Sequence, residues 1–256
     1  MPRQPRIHLA VSGSYSSGKT TTAEALSVAT GIPRADALTA REIVVDLVPR
    51  KHFQQLGATE LLMLGLRRFE ERVQSEAEQP GSFIADGSVL HEWVYGEARM
   101  RLGMNPGAPL PRRAVVRVVT TPMMPFLRQY MQAYGIVAKE RAKRMYDVFI
   151  HLPVEFRMDP DGHRPVSEEY RDVADRLLIE TLHELRIPYH VVGGTVAERV
   201  ERVVDLLDLP LVVPIDEAIR IASHRIARSK EMVAERQLAN QASWPLHRRL
   251  LAAVHG

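Results

Sequence analysis

Residues 13–20 read Gly13-Ser14-Tyr15-Ser16-Ser17-Gly18-Lys19-Thr20, a complete match to the spacing G-x-x-x-x-G-K-[ST]. The spacing has a chemical reason. Glycines at both ends let the backbone curl so that successive N–H groups point inward at phosphate oxygens. A helix that starts at the lysine adds the partial positive charge of its N-terminus. Lys19 then reaches the outer phosphates of a bound nucleotide, and the Thr20 hydroxyl is placed to hold Mg²⁺. Thr21 continues the turn beside it. The loop also stands in the right context. The apolar stretch Ile7–Ser12 precedes it as a strand, and Lys19–Thr30 suits a helix that Gly31-Ile32-Pro33 ends.

A metal bound by Thr20 needs a carboxylate nearby. Phe83-Ile84-Ala85-Asp86 is three apolar residues followed by an aspartate, the pattern of a strand that delivers a carboxylate at its end. Asp86 is therefore expected to place Mg²⁺; the competing reading is that it caps the helix beginning near Val89. A further group of cations follows Pro153. Arg157 and Arg164 lie on a connection between strand and helix, and Arg171 lies one turn inside the helix. Guanidinium groups spread charge over phosphoryl oxygens, so all three are candidates for phosphoryl transfer. Asp159, Asp161, Glu168 and Glu169 are close enough in sequence to be their partners instead. Two other patterns fail on inspection. His91-Glu92 lacks the second histidine of a zinc helix, because position 95 is Tyr95. The run from Asp159 lacks the bidentate glutamate of a calcium loop, because position 170 is Tyr170.

These groups need a scaffold, and the pattern between them supplies one. Strands are expected at Ile7–Ser12, Pro33–Asp36, Ser82–Asp86, Asp147–Leu152 and Pro188–Val192, about five in all. Helices are expected at Lys19–Thr30, Thr39–Val48, Thr59–Gln79, Val89–Leu102, Ser167–Arg186 and Thr195–Leu207. In the third of these, Leu61, Leu62, Leu64, Leu66 and Phe69 supply a face to bury. Gly103–Pro111 reads as a loop, and Arg112–Tyr146 as helix interrupted near Pro122 and Pro125, with Val115–Val119 equally suited to a strand. Alternating strand and helix implies a parallel sheet covered by helices, an α/β fold. Residues 1–209 form this body, with a loop at about 153–166, and residues 210–256 are a helical C-terminal extension. In the extension Ile215, Ile219, Ala222, Ile226 and Val233 step as one helix stripe, and Arg220, Arg225, Arg228 and Lys230 accompany it. The stripe has to be covered, either by the body's own cleft, which is the expectation, or by a second copy of the chain as a homodimer.

Composition narrows the classes further. The 256 residues carry 34 basic and 31 acidic side chains, and the whole excess lies beyond residue 210. A body without net charge is not expected to bind nucleic acid. There is no cysteine, which excludes disulfides, zinc–thiolate sites and thiol nucleophiles and fits a reducing compartment. No apolar run approaches the ~18 residues of a membrane span, and the polar residues 1–6 do not resemble a signal peptide, so a cytoplasmic protein is expected.

The order of these pieces resembles a known group. The phosphate loop, the strand ending in Asp86, the strand Tyr146–Leu152, Asp161-Gly162-His163-Arg164, Glu169-Tyr170-Arg171 and the strand Ile187–Val192 occur in that sequence. The chain resembles P-loop small-molecule kinases of the AAA-type ATPases, similar to bacterial ribosylnicotinamide kinase domains, over residues 6–209. The resemblance implies a three-layer P-loop NTPase fold that uses ATP and Mg²⁺. It implies a lid at about 153–166 whose Arg164, with Arg157 and Arg171, closes on phosphates. It also implies an acidic residue at the end of the second strand, Asp36 with Glu42 in reserve, beside the acceptor hydroxyl. An arginine frequent after the third strand is missing here, where Asp86-Gly87-Ser88 stands. The expected activity is phosphoryl transfer to a hydroxyl of a small molecule, such as a nucleoside. Nucleotidyl transfer and a nucleotide-switched protein that docks a partner remain the alternatives.

Overall fold

The computed structural model describes residues 6–48, 51, 56–103, 121–155 and 167–242. Arg157, Arg164, most of the expected loop after Gly103, the Val115–Val119 segment and the end of the extension lie outside the described residues.

Five strands form one sheet: β1 (His8–Ser12), β2 (Arg34–Ala35), β3 (Phe83–Asp86), β4 (Val148–His151) and β5 (Tyr189–Val191). All neighbours are parallel, in the order β2-β3-β1-β4-β5. Eight α-helices accompany them among the described residues: α1 (Lys19–Thr30), α2 (Ala40–Leu47), α3 (Ala58–Ala77), α4 (Val89–Leu102), α5 (Met124–Met145), α6 (Glu168–Leu185), α7 (Val196–Leu207) and α8 (Ile215–Ala242).

The strands are apolar on both sides because both sides are covered, and the period of two sorts their residues between two cores. Ala10, Phe83, Ala85 and Phe149 face one core, with Leu90 and Val94 of α4 and Leu178 and Leu182 of α6. Leu9, Val11, Ile84 and Ile150 face the other, with Leu26 of α1, Val200 and Val203 of α7, and Ala218 and Ala222 of α8. The result is a three-layer α/β P-loop NTPase fold. The first two turns of α8 belong to the second core, where Ala218 and Ala222 are fully buried.

Local signals set the ends. Gly31 closes α1 with a left-handed backbone and returns its N–H to the Ser27 carbonyl at 2.9 Å. Ser167 caps α6 by accepting from the Tyr170 N–H at 3.2 Å. Pro125 does not interrupt a helix; it sits in the first turn of α5, where its missing N–H costs nothing. One expectation is corrected in α3. Leu66 is 52% exposed, and of the five apolar residues only Leu64 is buried. The inward face of this helix is instead polar toward its C-terminal end, where Arg72, Ser75 and Glu76 are buried.

This topology makes a crevice. The chain leaves β1 toward β2 over one face of the sheet and leaves β3 toward β4 over the other, so the connections after these two neighbouring strands part at their carboxyl ends, the usual place for a ligand. Asp86 is registered beside Val11, two residues before Gly13. No described helix is long and apolar enough to cross a membrane.

Candidate active site

The loop after β1 is wound tightly. Gly13 has φ 138°, and a Cβ there would lie 2.5 Å from the Leu152 carbonyl oxygen, so no larger residue fits. The Ser17 hydroxyl donates to the Ser14 carbonyl at 3.0 Å, and the Lys19 ammonium donates to the same oxygen. Gly18 is the N-cap of α1 and, having no side chain, leaves the first turn of the helix without a side-chain cap. That is the arrangement an anion uses at a helix N-terminus.

Thr20 and Asp86, 66 positions apart, meet at the mouth of the crevice. The Thr20 hydroxyl donates to the Asp86 carboxylate at 2.6 Å. The helix-cap alternative for Asp86 falls away, because α4 is capped by Ser88 together with the His91 ring. A hydroxyl and a carboxylate are hard oxygen donors that suit Mg²⁺. The described residues hold no cluster of three or more His, Asp or Glu side chains, so a metal here would take most of its ligands from phosphates and water.

A cavity of about 1070 Å³ opens from this point. Lys19, Thr20 and Asp86 line one end; Leu61 and Gly65 of α3, Tyr95 of α4, and Met131 and Tyr134 of α5 line another part. Asp36 lines it too, with its carboxylate 70% exposed and paired to Arg34. Glu42 is on the wall, but its carboxylate accepts from the Thr39 N–H and hydroxyl, both at 2.7 Å, as part of the cap of α2. The extension completes the enclosure. Arg225, Ile226, Lys230 and Val233 of α8 line the cavity, while Arg225 pairs with Glu24 at 2.9 Å and Arg236 with Asp46 at 3.2 Å. The predicted stripe is therefore divided. Ile215, Ile219 and Ala222 pack on the second core, and Ile226 and Val233 face the cavity.

Several groups here carry no local sequence signal. Arg72 of α3 donates to the Asp86 carbonyl at 2.9 Å and to the Glu92 carboxylate at 2.7 Å; Arg68 also donates to Glu92, at 2.8 Å, and to the Leu38 carbonyl. Burial alone would raise the Glu92 pKa, but the two arginines outweigh it and hold the carboxyl below its ordinary range. His91 is 2% exposed, and its Nδ1 accepts from the Ser88 N–H at 2.9 Å. The ring proton therefore sits on Nε2. Burial first, then the charge of Lys19, pushes its pKa well below the ordinary 6.5. Tyr15 of the phosphate loop stacks on Tyr95 with ring centres 4.3 Å apart. Arg171 is fully buried, pairs with Glu168 at 2.8 Å and does not line the cavity.

A family model described as AAA domain matches residues 8–199. The chain belongs to this AAA domain family. Comparison with curated proteins finds no match. Among solved structures, this AAA domain is similar to deoxyadenosine kinase from M. mycoides with bound dATP, at 14% identity and a TM-score of 0.52, covering 79% of this chain and 100% of that one. The same kinase with bound dCTP is similar at 15% identity and a TM-score of 0.48, covering 79% and 99%. At these identities the likeness is one of fold.

Proposed function

We propose that this AAA domain is an ATP- and Mg²⁺-dependent kinase that transfers a phosphoryl group to a hydroxyl of a small molecule, a nucleoside or a nucleoside-like compound. One observation carries the reading: the Thr20 hydroxyl and the Asp86 carboxylate meet at 2.6 Å beside Lys19, at one end of a cavity with room for a second substrate. The nucleoside-like acceptor draws on the fold shared with deoxyadenosine kinase. It draws also on the sequence resemblance to ribosylnicotinamide kinase domains.

The roles follow from position. The loop backbone from Gly13 to Gly18 and the N-terminus of α1 bind the phosphates, and Lys19 offsets charge on the transferring group. Thr20 and Asp86 would hold Mg²⁺, which when bound supplies further charge neutralisation. Asp36 lines the same cavity and would orient the acceptor hydroxyl; the roles of Arg157 and Arg164 at the phosphates rest on the sequence resemblance alone. Phosphoryl transfer asks mainly for positioning and charge stabilisation, so this set is sufficient. The extension supports a substrate role over a docking role, because its second half walls the cavity.

Lys19→Ala tests the nucleotide end. It removes a charge-assisted contact worth about 1.5–3 kcal/mol, so calorimetry should show clearly weaker ATP binding and turnover should collapse. Unchanged affinity and turnover would refute the assignment.

A further inference from the structure

The phosphate loop is held from behind. Arg199, near the start of α7, is 2% exposed; its Nη1 donates to the Ser17 carbonyl at 2.8 Å and its Nη2 to the Glu155 carboxylate at 2.6 Å. Glu155 follows β4 and also accepts from the Gly194 N–H, at 3.0 and 3.1 Å to its two oxygens. The hydrogen bond from Arg199, and next that from Gly194, hold the Glu155 carboxyl below its ordinary range. Neither side chain lines the cavity that Gly18, Lys19 and Thr20 line. The guanidinium thus approaches the loop from the side away from the substrates.

The peptide between Ser17 and Gly18 turns this contact into a functional one. No cis peptide occurs among the described residues. In a planar trans peptide the carbonyl and the following N–H point in opposite directions. A Ser17 carbonyl anchored on Arg199 therefore aims the Gly18 N–H away from Arg199, toward the side where phosphate binds. The same contact fixes the residue at 18. A Cβ on Gly18 would lie 2.9 Å from Arg199 Nη1, and the backbone there has φ 88°. A planar fork meets a carbonyl and a carboxylate with N–H groups held in fixed directions, whereas an ammonium is a compact point charge on a flexible stem.

We infer that Arg199 is a positioning residue of the nucleotide site: it aims the Gly18 N–H at the bound phosphates, and Glu155 holds it in that pose. The inference rests on the reading of the loop as a nucleotide site, and it adds a requirement that the loop motif does not contain.

The test is calorimetric titration of the full chain with a Mg²⁺-bound, non-hydrolysable ATP analogue, at a temperature where circular dichroism shows each variant folded. Arg199→Gln should bind at least tenfold more weakly than the unaltered chain. Arg199→Lys should recover part of the loss, because an ammonium still reaches one acceptor. Glu155→Gln removes the ion pair but leaves the Ser17 contact, so its affinity should fall less than that of Arg199→Gln even where its unfolding midpoint falls as far. Wild-type affinity in folded Arg199→Gln, or in Arg199→Lys should the former not fold, overturns the inference. So does an affinity that follows the unfolding midpoint across all three variants, which is the mark of a merely structural role. An unaltered chain that does not bind the analogue would remove the nucleotide reading itself, and this inference with it.

Discussion

At the scale of residues, the pair that matters most is Thr20 and Asp86. Asp86→Asn keeps the shape and loses the charge, while the backbone nest of the loop remains. Turnover should fall by an order of magnitude or more, its Mg²⁺ requirement should move to higher concentration, and the affinity for an ATP analogue should change far less. A Mg²⁺ titration of activity checks this; an unshifted optimum at full rate would reduce Asp86 to a hydrogen-bond partner of Thr20. His91 gives a second test at this scale. Its folded pKa lies well below the ordinary 6.5 because it is buried beside Lys19. Between those two values the unfolded chain binds a proton that the folded chain refuses, so stability should fall as pH drops below about 6.5. The carboxyls held low by their partners, such as Glu92 and Glu155, act only below their ordinary 4.5, which leaves the window above it to histidine. Unfolding midpoints from pH 5 to 8 should decline toward the acid side, and less so in His91→Asn, whose amide oxygen can still accept from Ser88. Equal slopes in both proteins would contradict the assignment.

At the scale of elements, the division of α8 makes a prediction. Its first two turns are core, since Ala218 and Ala222 pack with Leu26. Its second half is cavity wall. A chain ending at His224 should stay folded and keep its affinity for an ATP analogue, yet lose acceptor-dependent turnover. A chain ending at Pro210 should also melt at lower temperature, because it uncovers α1. Full turnover in the first truncation would exclude α8 from the substrate site. The same helix shows how far sequence reaches. α1 and α4 were legible to the residue, because Gly18 and Gly31 bound one, and Ser88 and Gly103 the other. The stripe of α8 was legible as a stripe, but its split between core and cavity depends on how far α1 and α2 extend beneath it. Arg72 and Arg199 were not legible as site residues at all. Each reaches the site across a long sequence interval, and only the packing of α3 and α7 brings them there. Leu66 misled for the converse reason: an apolar residue at helical spacing was read as buried, whereas polar side chains occupy that inward face.

At the scale of the molecule, a sheet with a phosphate loop at its crevice provides one substrate end, and the helices above it provide the other. On the proposed reading, the small acceptor occupies the cavity bounded by α3, α5 and α8. The central claim is that the γ-phosphoryl group of ATP moves to that acceptor. The direct measurement is mass spectrometry of the reaction of the whole protein with Mg²⁺, ATP and a panel of nucleosides. The account predicts ADP together with one nucleoside made heavier by a single phosphoryl group, and neither product from Lys19→Ala. Release of pyrophosphate with an adenylylated product, or hydrolysis of ATP with every nucleoside unchanged, would contradict it.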